Sequence, residues 1–150
     1  MPLKLIRGVL EQAGADNGDE RMTREQAARL HGVPENVLER LEGLGVLDGE
    51  AYGAEDARIV EAIARFRAGG FDETLGFTVY DTLRYRRALE PLVRDEVRAL
   101  LDRLVDVHDV ERSLKMVAAG AEPLRELIGA MHSKLLLAEL KRHGGRASSQ

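Results

Sequence analysis

Two short helical segments joined by a glycine turn constrain the fold of this chain more than any other feature of its sequence. Thr23 begins a capping box, because its hydroxyl can accept a hydrogen bond from the backbone N–H of Gln26 while the Gln26 side chain bonds back to it. Gly32 then turns the chain, Pro34 suits the start of a second helix, and Gly43 is placed to end it. This order predicts a helix-turn-helix, whose second helix would enter the major groove of DNA.

The hydrophobic spacing assigns an inner and an outer face to each of these helices. In the first helix the expected inner face is Ala27, Ala28 and Leu30. In the second helix the expected inner residues are Val37, Leu38, Leu41 and Leu44, and the expected outer ones are Glu35, Glu39, Arg40 and Glu42. Three of the four outer residues are acidic, which is the wrong sign for a surface that binds phosphates.

The charge is unevenly distributed along the chain. Residues 1–50 hold 6 Lys and Arg against 10 Asp and Glu, residues 51–107 hold 9 against 11, and residues 108–150 hold 7 against 5. The helix-turn-helix therefore lies in the most acidic third. Because neutralised phosphates supply most non-specific DNA affinity, this distribution argues against strong DNA binding by this part alone.

The composition excludes several classes of function. The chain has 150 residues, no Cys, no Trp and three Phe. We therefore expect a core of aliphatic residues, and this composition favours an all-α fold. The absence of Cys excludes disulfides, thiolate metal sites and cysteine nucleophiles. The four histidines do not have the spacing of a ligand set, and we expect no metal and no cofactor. These are His31, His108, His132 and His143.

No catalytic constellation is visible, since the Ser and Thr residues lack a nearby base and no phosphate-binding glycine loop occurs. We therefore expect a protein that is not an enzyme. Charges at Lys4 and Arg7 interrupt the N-terminal apolar residues, so no signal peptide or membrane span is predicted. A cytoplasmic protein without membrane contact is the expectation.

The rest of the chain is also predicted to be helical. Helices are expected at residues 3–13 and 54–68, and a short two-strand element is one interpretation of residues 46–53. An apolar seam follows at Leu83, Leu89, Val93, Val97, Leu100, Leu104 and Val105, in which Pro91 either kinks one helix or starts a second. Gly120 is expected to interrupt a further helix, Pro123 to start the last one, and the tail from about residue 142 to be disordered.

Three landmarks follow one another within residues 22–75. The first is Ala27–Val33 followed by Leu38, Glu42 and Leu44–Leu47, the second is Tyr52–Asp56 and the third is Ile63–Phe71. In their order and spacing they resemble the winged-helix domain of MerR-family bacterial transcription regulators. The resemblance implies a winged helix-turn-helix with a reduced wing, packed on a C-terminal helical bundle. It covers about a third of the chain.

The chain departs from this family where the family touches DNA. The second helix has Val37, Glu39 and Arg40 where the family has Thr, Arg and Tyr, and Glu39 in place of Arg turns attraction into repulsion. The basic wing is shortened to Asp48–Ala51. A predicted helix at residues 3–13 is also unusual, because family members begin close to their first capping residue. The chain is thus similar to the second, eroded unit of a longer MerR-type regulator.

The resemblance implies two domains, an eroded winged-helix unit at residues 1–71 and a helical dimerisation or effector region at residues 72–150. The implied function is the regulatory, dimerising or effector-sensing part of a transcription regulator, with weak or no DNA binding of its own. Implied partners are a second copy, an upstream DNA-binding domain or promoter DNA reached through it, and a small apolar effector. Two alternatives stay open: a complete atypical MerR-type repressor or activator, and a stand-alone protein-interaction module.

Two sets of candidate site residues follow. If DNA binding is retained, the candidates are Arg24, Arg29, Asn36 and Arg40. The candidates for an effector pocket or a helix interface are Tyr80, Leu83, Tyr85, Val97, Leu114, Met116, Ile128 and Met131. The densest basic and aromatic cluster, residues 80–87, is either a phosphate-binding patch or an ordinary helix surface.

Overall fold

The computed structural model describes residues 3–17, 21–49, 51–104 and 109–148, and these residues are mostly helical. The helices are α1 (Leu3–Asn17), α2 (Arg24–His31), α3 (Glu35–Gly43), α4 (Ala54–Ala68), α5 (Thr82–Leu104) and α6 (Val110–Ser148). Two short strands, β1 (Met22–Thr23) and β2 (Ala51–Tyr52), and two 3-10 turns, Glu73–Leu75 and Val79–Asp81, complete the described elements. Val105 and His108 lie outside the described residues.

The contacts divide the chain into two compact units. We call Glu11–Arg103 the central unit, and Met1–Leu10 together with Leu104–Gln150 the terminal unit. The central unit contains α2 to α4 and nearly all of α5, whereas α6 belongs to the terminal unit. The functional boundary after residue 71 stays a prediction.

The predicted helix-turn-helix segment has the expected local geometry. The Thr23 hydroxyl accepts from the Gln26 N–H at 3.2 Å, and the Thr23 N–H donates to the Gln26 side chain at 2.9 Å, which confirms the capping box. Gly32 ends α2 with a φ of 68°, a left-handed conformation that glycine adopts without steric cost. Its N–H donates to the Ala28 carbonyl at 2.9 Å, so the turn between α2 and α3 is held by the backbone.

The buried core of the central unit is centred on α3. Leu38 and Leu41 of α3 are fully buried together with Ala27, Tyr52 and Val60 from the surrounding elements. The remaining buried members of the cluster are Val33, Val37, Leu47 and Val79. The predicted inner face of α3 is therefore confirmed, with Leu44 partly buried at its edge.

Two side chains of this segment lie on faces other than those predicted. Leu30 was expected inside but is 66% exposed, because α2 is short and the small Ala27 is the residue that packs into the core. Glu42 was expected outside, yet its side chain is only 10% exposed, because Arg24 folds across it and neutralises its charge. Both differences arise from contacts between elements, and the spacing of apolar residues along one helix does not predict such contacts.

The two strands pair with each other across the helix-turn-helix. They are antiparallel, with Met22 opposite Tyr52 and Thr23 opposite Ala51. The sequence suggested a two-strand element inside residues 46–53, but β2 instead pairs with the residues that precede α2. This pairing places the buried Tyr52 against the start of the helix-turn-helix.

Two long helices, α5 and α6, make up most of the described residues of the C-terminal half. Pro91 lies inside α5 and Pro123 inside α6, so neither proline begins a new helix, and Gly120 does not interrupt α6. α6 continues to Ser148, past residue 142 where the sequence predicts a disordered tail. Arg142 and His143 both pair with Glu139 one turn earlier, and such pairs stabilise an exposed helix. α1 likewise extends to Asn17 rather than ending near Gly14.

Candidate functional site

The outward face of α3 is the surface that a helix-turn-helix would present to DNA. Glu35, Asn36, Glu39 and Arg40 are all exposed on it. Two carboxylates thus flank the two residues that could contact a nucleic acid. Because phosphates repel carboxylates, this face is electrostatically poor for DNA.

Arg24 is bound within the protein rather than directed at a ligand. Its Nη1 lies 2.8 Å from Glu39 Oε1, and its Nη2 lies 2.7 Å from Glu42 Oε2. Its Nε donates a further hydrogen bond to Glu42 Oε2 at 2.8 Å. The hydrogen bond to Glu42 raises the pKa of Arg24 above its ordinary value. A phosphate could recruit this guanidinium only by competing with two carboxylates.

Tyr52 extends this charged cluster into the core. It is 1% exposed, and burial, followed by the nearby Glu42 carboxylate, raises its pKa to about 12. Neither the Tyr52 hydroxyl nor Glu42 Oε1 has a hydrogen bond of good geometry among the described residues. The buried polar cluster of Arg24, Glu42 and Tyr52 thus joins β2, α2 and α3 and neutralises part of the predicted DNA face.

The predicted DNA-binding residues do not form one basic surface. Arg29 is exposed on α2, and Asn36 and Arg40 are exposed on α3, while Arg24 is held by its two glutamates. Sequence reasoning missed the role of Glu42 because its partner is 18 positions away in the chain.

The connection between α3 and α4 offers no cation, since residues 44–53 contain neither Lys nor Arg. The Asp48 N–H donates to Asp56 Oδ2 at 3.3 Å, which ties this connection to the first turn of α4. Burial, followed by the Asp48 charge, raises the pKa of Asp56. An acidic connection of this kind cannot replace a basic wing on a phosphate backbone.

A pocket of about 260 Å³ lies within the central unit. It is formed by α3, the C-terminal part of α4 and the segment from Phe71 to Tyr85. Phe66, Phe71 and Phe77 line it in edge-to-face order, with ring centroids 5.9 Å apart in the first pair and 5.2 Å in the second. Val37 and Leu41 contribute the α3 side, so this pocket adjoins the inner face of the helix-turn-helix.

The predicted effector residues are not gathered in this pocket. Tyr85 lines it, whereas Tyr80 and Leu83 lie on the same segment without lining it. Val97 is exposed farther along α5, and Met116, Ile128 and Met131 are exposed on α6. Leu114 packs in the terminal unit against Gly8 of α1, where an added Cβ would meet its Cδ1 at 2.8 Å.

Sequence reasoning missed the aromatic pocket, although one signal was present. All three phenylalanines of the chain fall within residues 66–77. Such a concentration in a chain poor in aromatic residues marks a local cluster, because aromatic side chains contribute large apolar areas wherever they pack.

Two arginines of the basic and aromatic cluster at residues 80–87 form polar contacts within the protein. Arg86 Nη1 donates to the Leu44 carbonyl at 2.6 Å, and Arg86 Nε lies 2.7 Å from Glu90 Oε1. Arg84 lies 3.9 Å from Asp81. The Arg86 contact caps the C-terminal end of α3, which supports the interpretation as a helix surface over that of a phosphate patch.

The described part of the chain contains no group of three His, Asp or Glu residues placed to hold a metal ion. Among these residues, no helix is both long and apolar enough to cross a membrane.

Comparison with known proteins gives no match: no family model, no curated protein and no solved structure is significantly similar to this chain.

Proposed function

We propose that this chain is a regulatory module of a MerR-type transcription regulator, with an eroded winged helix-turn-helix that has little or no DNA affinity of its own. The observation that carries the proposal is the state of the α3 face. Two short helices joined by the turn at Gly32 are consistent with a helix-turn-helix, but Arg24 is neutralised by Glu39 and Glu42, and the exposed face of α3 is acidic. Such a segment keeps the residues that fold it but lacks the positive surface charge that binds phosphates.

The proposal includes a homodimer formed by the long helices. Leu124, Ile128, Met131 and Leu135 of α6 are all exposed and are spaced by four, three and four residues. This spacing is that of a coiled-coil seam, in which a second helix covers the apolar residues. Leu89, Val93, Val97 and Leu100 form a similar exposed row on α5. A second copy would cover both rows, and promoter DNA would be reached through a separate DNA-binding domain in the cytoplasm.

DNA binding at low salt tests the proposal. Fluorescence anisotropy with a labelled random-sequence duplex should give only weak binding by the wild-type chain. Glu39→Arg should increase the affinity, because it removes a negative charge from the α3 face and releases Arg24 from one of its partners. Glu126→Arg on α6 is the matched control, since it changes the net charge equally but lies in the terminal unit.

Salt-sensitive duplex binding by the wild-type chain that is lost in Arg40→Ala would instead identify a complete DNA-binding regulator. An equal gain in Glu39→Arg and Glu126→Arg would mean that only net charge matters, and would remove the argument from the α3 face. If the chain stays monomeric and no variant binds DNA, the result would favour the interaction-module alternative.

A further inference from the structure

The aromatic pocket of the central unit has features of a ligand site beyond those of a core. Phe66, Phe71 and Phe77 are 60%, 50% and 38% exposed, so the three rings are far from buried although they contact one another. Their interplanar angles of 85° and 74° are edge-to-face. An aromatic guest could extend this series with the same edge-to-face geometry, which is favourable beyond the area that it buries.

The charges around the pocket are paired with each other. Arg67 Nη1 lies 2.7 Å from Glu73 Oε1, and Arg84 lies 3.9 Å from Asp81, whose carboxylate also accepts the Thr78 N–H at 2.8 Å. Each cation of the lining therefore has an acidic neighbour. A charged guest would lose hydration without gaining an unpaired counter-charge, which favours an uncharged guest.

The volume of the pocket limits which molecules can bind in it. Its volume of about 260 Å³ lies just below the roughly 300–1,000 Å³ of sites for drug-sized ligands. A whole helix, with a diameter of roughly 10–12 Å including side chains, needs a groove rather than a pocket of this size. A flat molecule of one or two rings fits these limits.

We propose that this pocket binds an uncharged aromatic molecule of one or two rings. Phe66, Phe71 and Phe77 contact its ring, while Val37 and Leu41 form the wall on the α3 side. A guest seated there touches the inner face of α3 and thereby favours one position of the helix-turn-helix. That regulatory consequence rests on the proposed function, whereas the binding itself does not.

Titration with naphthalene derivatives tests the proposal. The full chain contains no Trp, so the fluorescence of naphthol can be followed with little protein background. Naphthol is the uncharged probe, and naphthoate and naphthylmethylammonium carry the same ring with a negative and a positive charge. We expect saturable binding of naphthol and at least about tenfold weaker binding of both charged probes.

Two variants locate the site. Phe77→Ala should weaken naphthol binding about tenfold by removing a contact ring, and Leu75→Ala should leave it within about twofold. Leu75 is 66% exposed, lies two residues away and does not line the pocket. Phe77→Leu keeps an apolar side chain and should give an intermediate loss, which secures the test if circular dichroism shows that Phe77→Ala is misfolded.

Several results would overturn the proposal: no saturation with naphthol, tighter binding of a charged probe, or equal weakening by the Phe77 and Leu75 variants. Failure of the DNA experiment would leave these titrations unaffected, since they require neither a nucleic acid nor a second domain. If naphthol fails to bind while a partner protein protects Phe77 from solvent, the occupant is an apolar side chain of that partner and the small-molecule proposal is wrong.

Discussion

The helix-turn-helix and the two long helices place their apolar residues in opposite environments. In α3, Val37, Leu38 and Leu41 are all buried within one chain. Along α5 and α6, most of the large apolar side chains remain exposed, although their spacing is as regular. The apolar side chains of α3 are buried in the core of the central unit, whereas the exposed apolar rows of α5 and α6 are the surface that the proposed dimer would cover.

The comparison also separates stability from association. Substitutions in the buried part should change the free energy of unfolding, and substitutions in the exposed rows should change the oligomeric state. The same chemical change therefore has different consequences in the two regions.

The largest expected effect is the loss of a core side chain. Leu38→Ala should lower the free energy of unfolding by about 2–5 kcal/mol, because it removes a fully buried side chain and leaves a cavity. Urea denaturation measures this change. Leu30→Ala, in the exposed last turn of α2, is the matched control and should stay within about 0.5 kcal/mol. A similar loss of unfolding free energy in both variants would show that Leu38 is no more buried than Leu30.

A charge in the exposed row of α6 should act on association instead. Leu135→Glu places a carboxylate at a side chain that is 69% exposed, and should weaken self-association at least about tenfold by sedimentation equilibrium. Leu30→Glu introduces the same charge at a similarly exposed leucine outside the long helices and should leave the self-association constant unchanged. A wild-type chain that sediments as a monomer at high concentration would refute the proposed role of α6.

Local signals in the sequence predicted the helix-turn-helix well. The capping box at Thr23, the turn at Gly32 and the inner residues of α3 all follow from interactions within a few positions, and the structure confirms them. The helix from Ala54 to Ala68 is confirmed for the same reason.

Contacts distant in sequence could not be predicted in this way. The partnership of Arg24 with Glu42, the pairing of β1 with β2 and the Arg86 contact with Leu44 join residues that periodicity does not connect. The aromatic pocket depends on the path of the chain after α4, which no repeating pattern specifies. The prediction that Pro123 starts a helix is wrong, because a long helix tolerates the loss of one backbone hydrogen bond, and Pro91 likewise lies within a single helix, which excludes the second of its two alternatives.

Two helical glycines offer a smaller test of how crowded the terminal unit is. A Cβ at Gly129 of α6 meets nothing within 4 Å, so Gly129→Ala should stabilise the helix by up to about 1 kcal/mol. A Cβ at Gly8 of α1 would lie 2.8 Å and 2.9 Å from the two methyl groups of Leu114. Gly8→Ala should therefore not give this stabilisation, because the added methyl group crowds Leu114. Thermal denaturation followed by circular dichroism compares the two. A destabilising Gly129→Ala would indicate that another helix packs closely at that position.

The smallest effect at neutral pH is expected at Tyr52, where removal of the hydroxyl tests the buried cluster. Tyr52→Phe should change the free energy of unfolding by less than about 1 kcal/mol at pH 7, because the hydroxyl is buried without a well-formed hydrogen bond. At alkaline pH the two proteins should diverge.

This divergence follows from the raised pKa of Tyr52. The folded protein keeps the phenol protonated up to about pH 12, whereas the unfolded chain releases the proton near its ordinary pKa of 10.0. The unfolded state therefore binds fewer protons in this window, and the stability of the wild-type protein falls as the pH rises from about 10 to about 12. Tyr52→Phe should lose less stability there in urea titrations, while Tyr80→Phe, at an exposed tyrosine, should retain the wild-type loss. Parallel profiles for the wild type and Tyr52→Phe would show that burial beside Glu42 does not hold the Tyr52 proton.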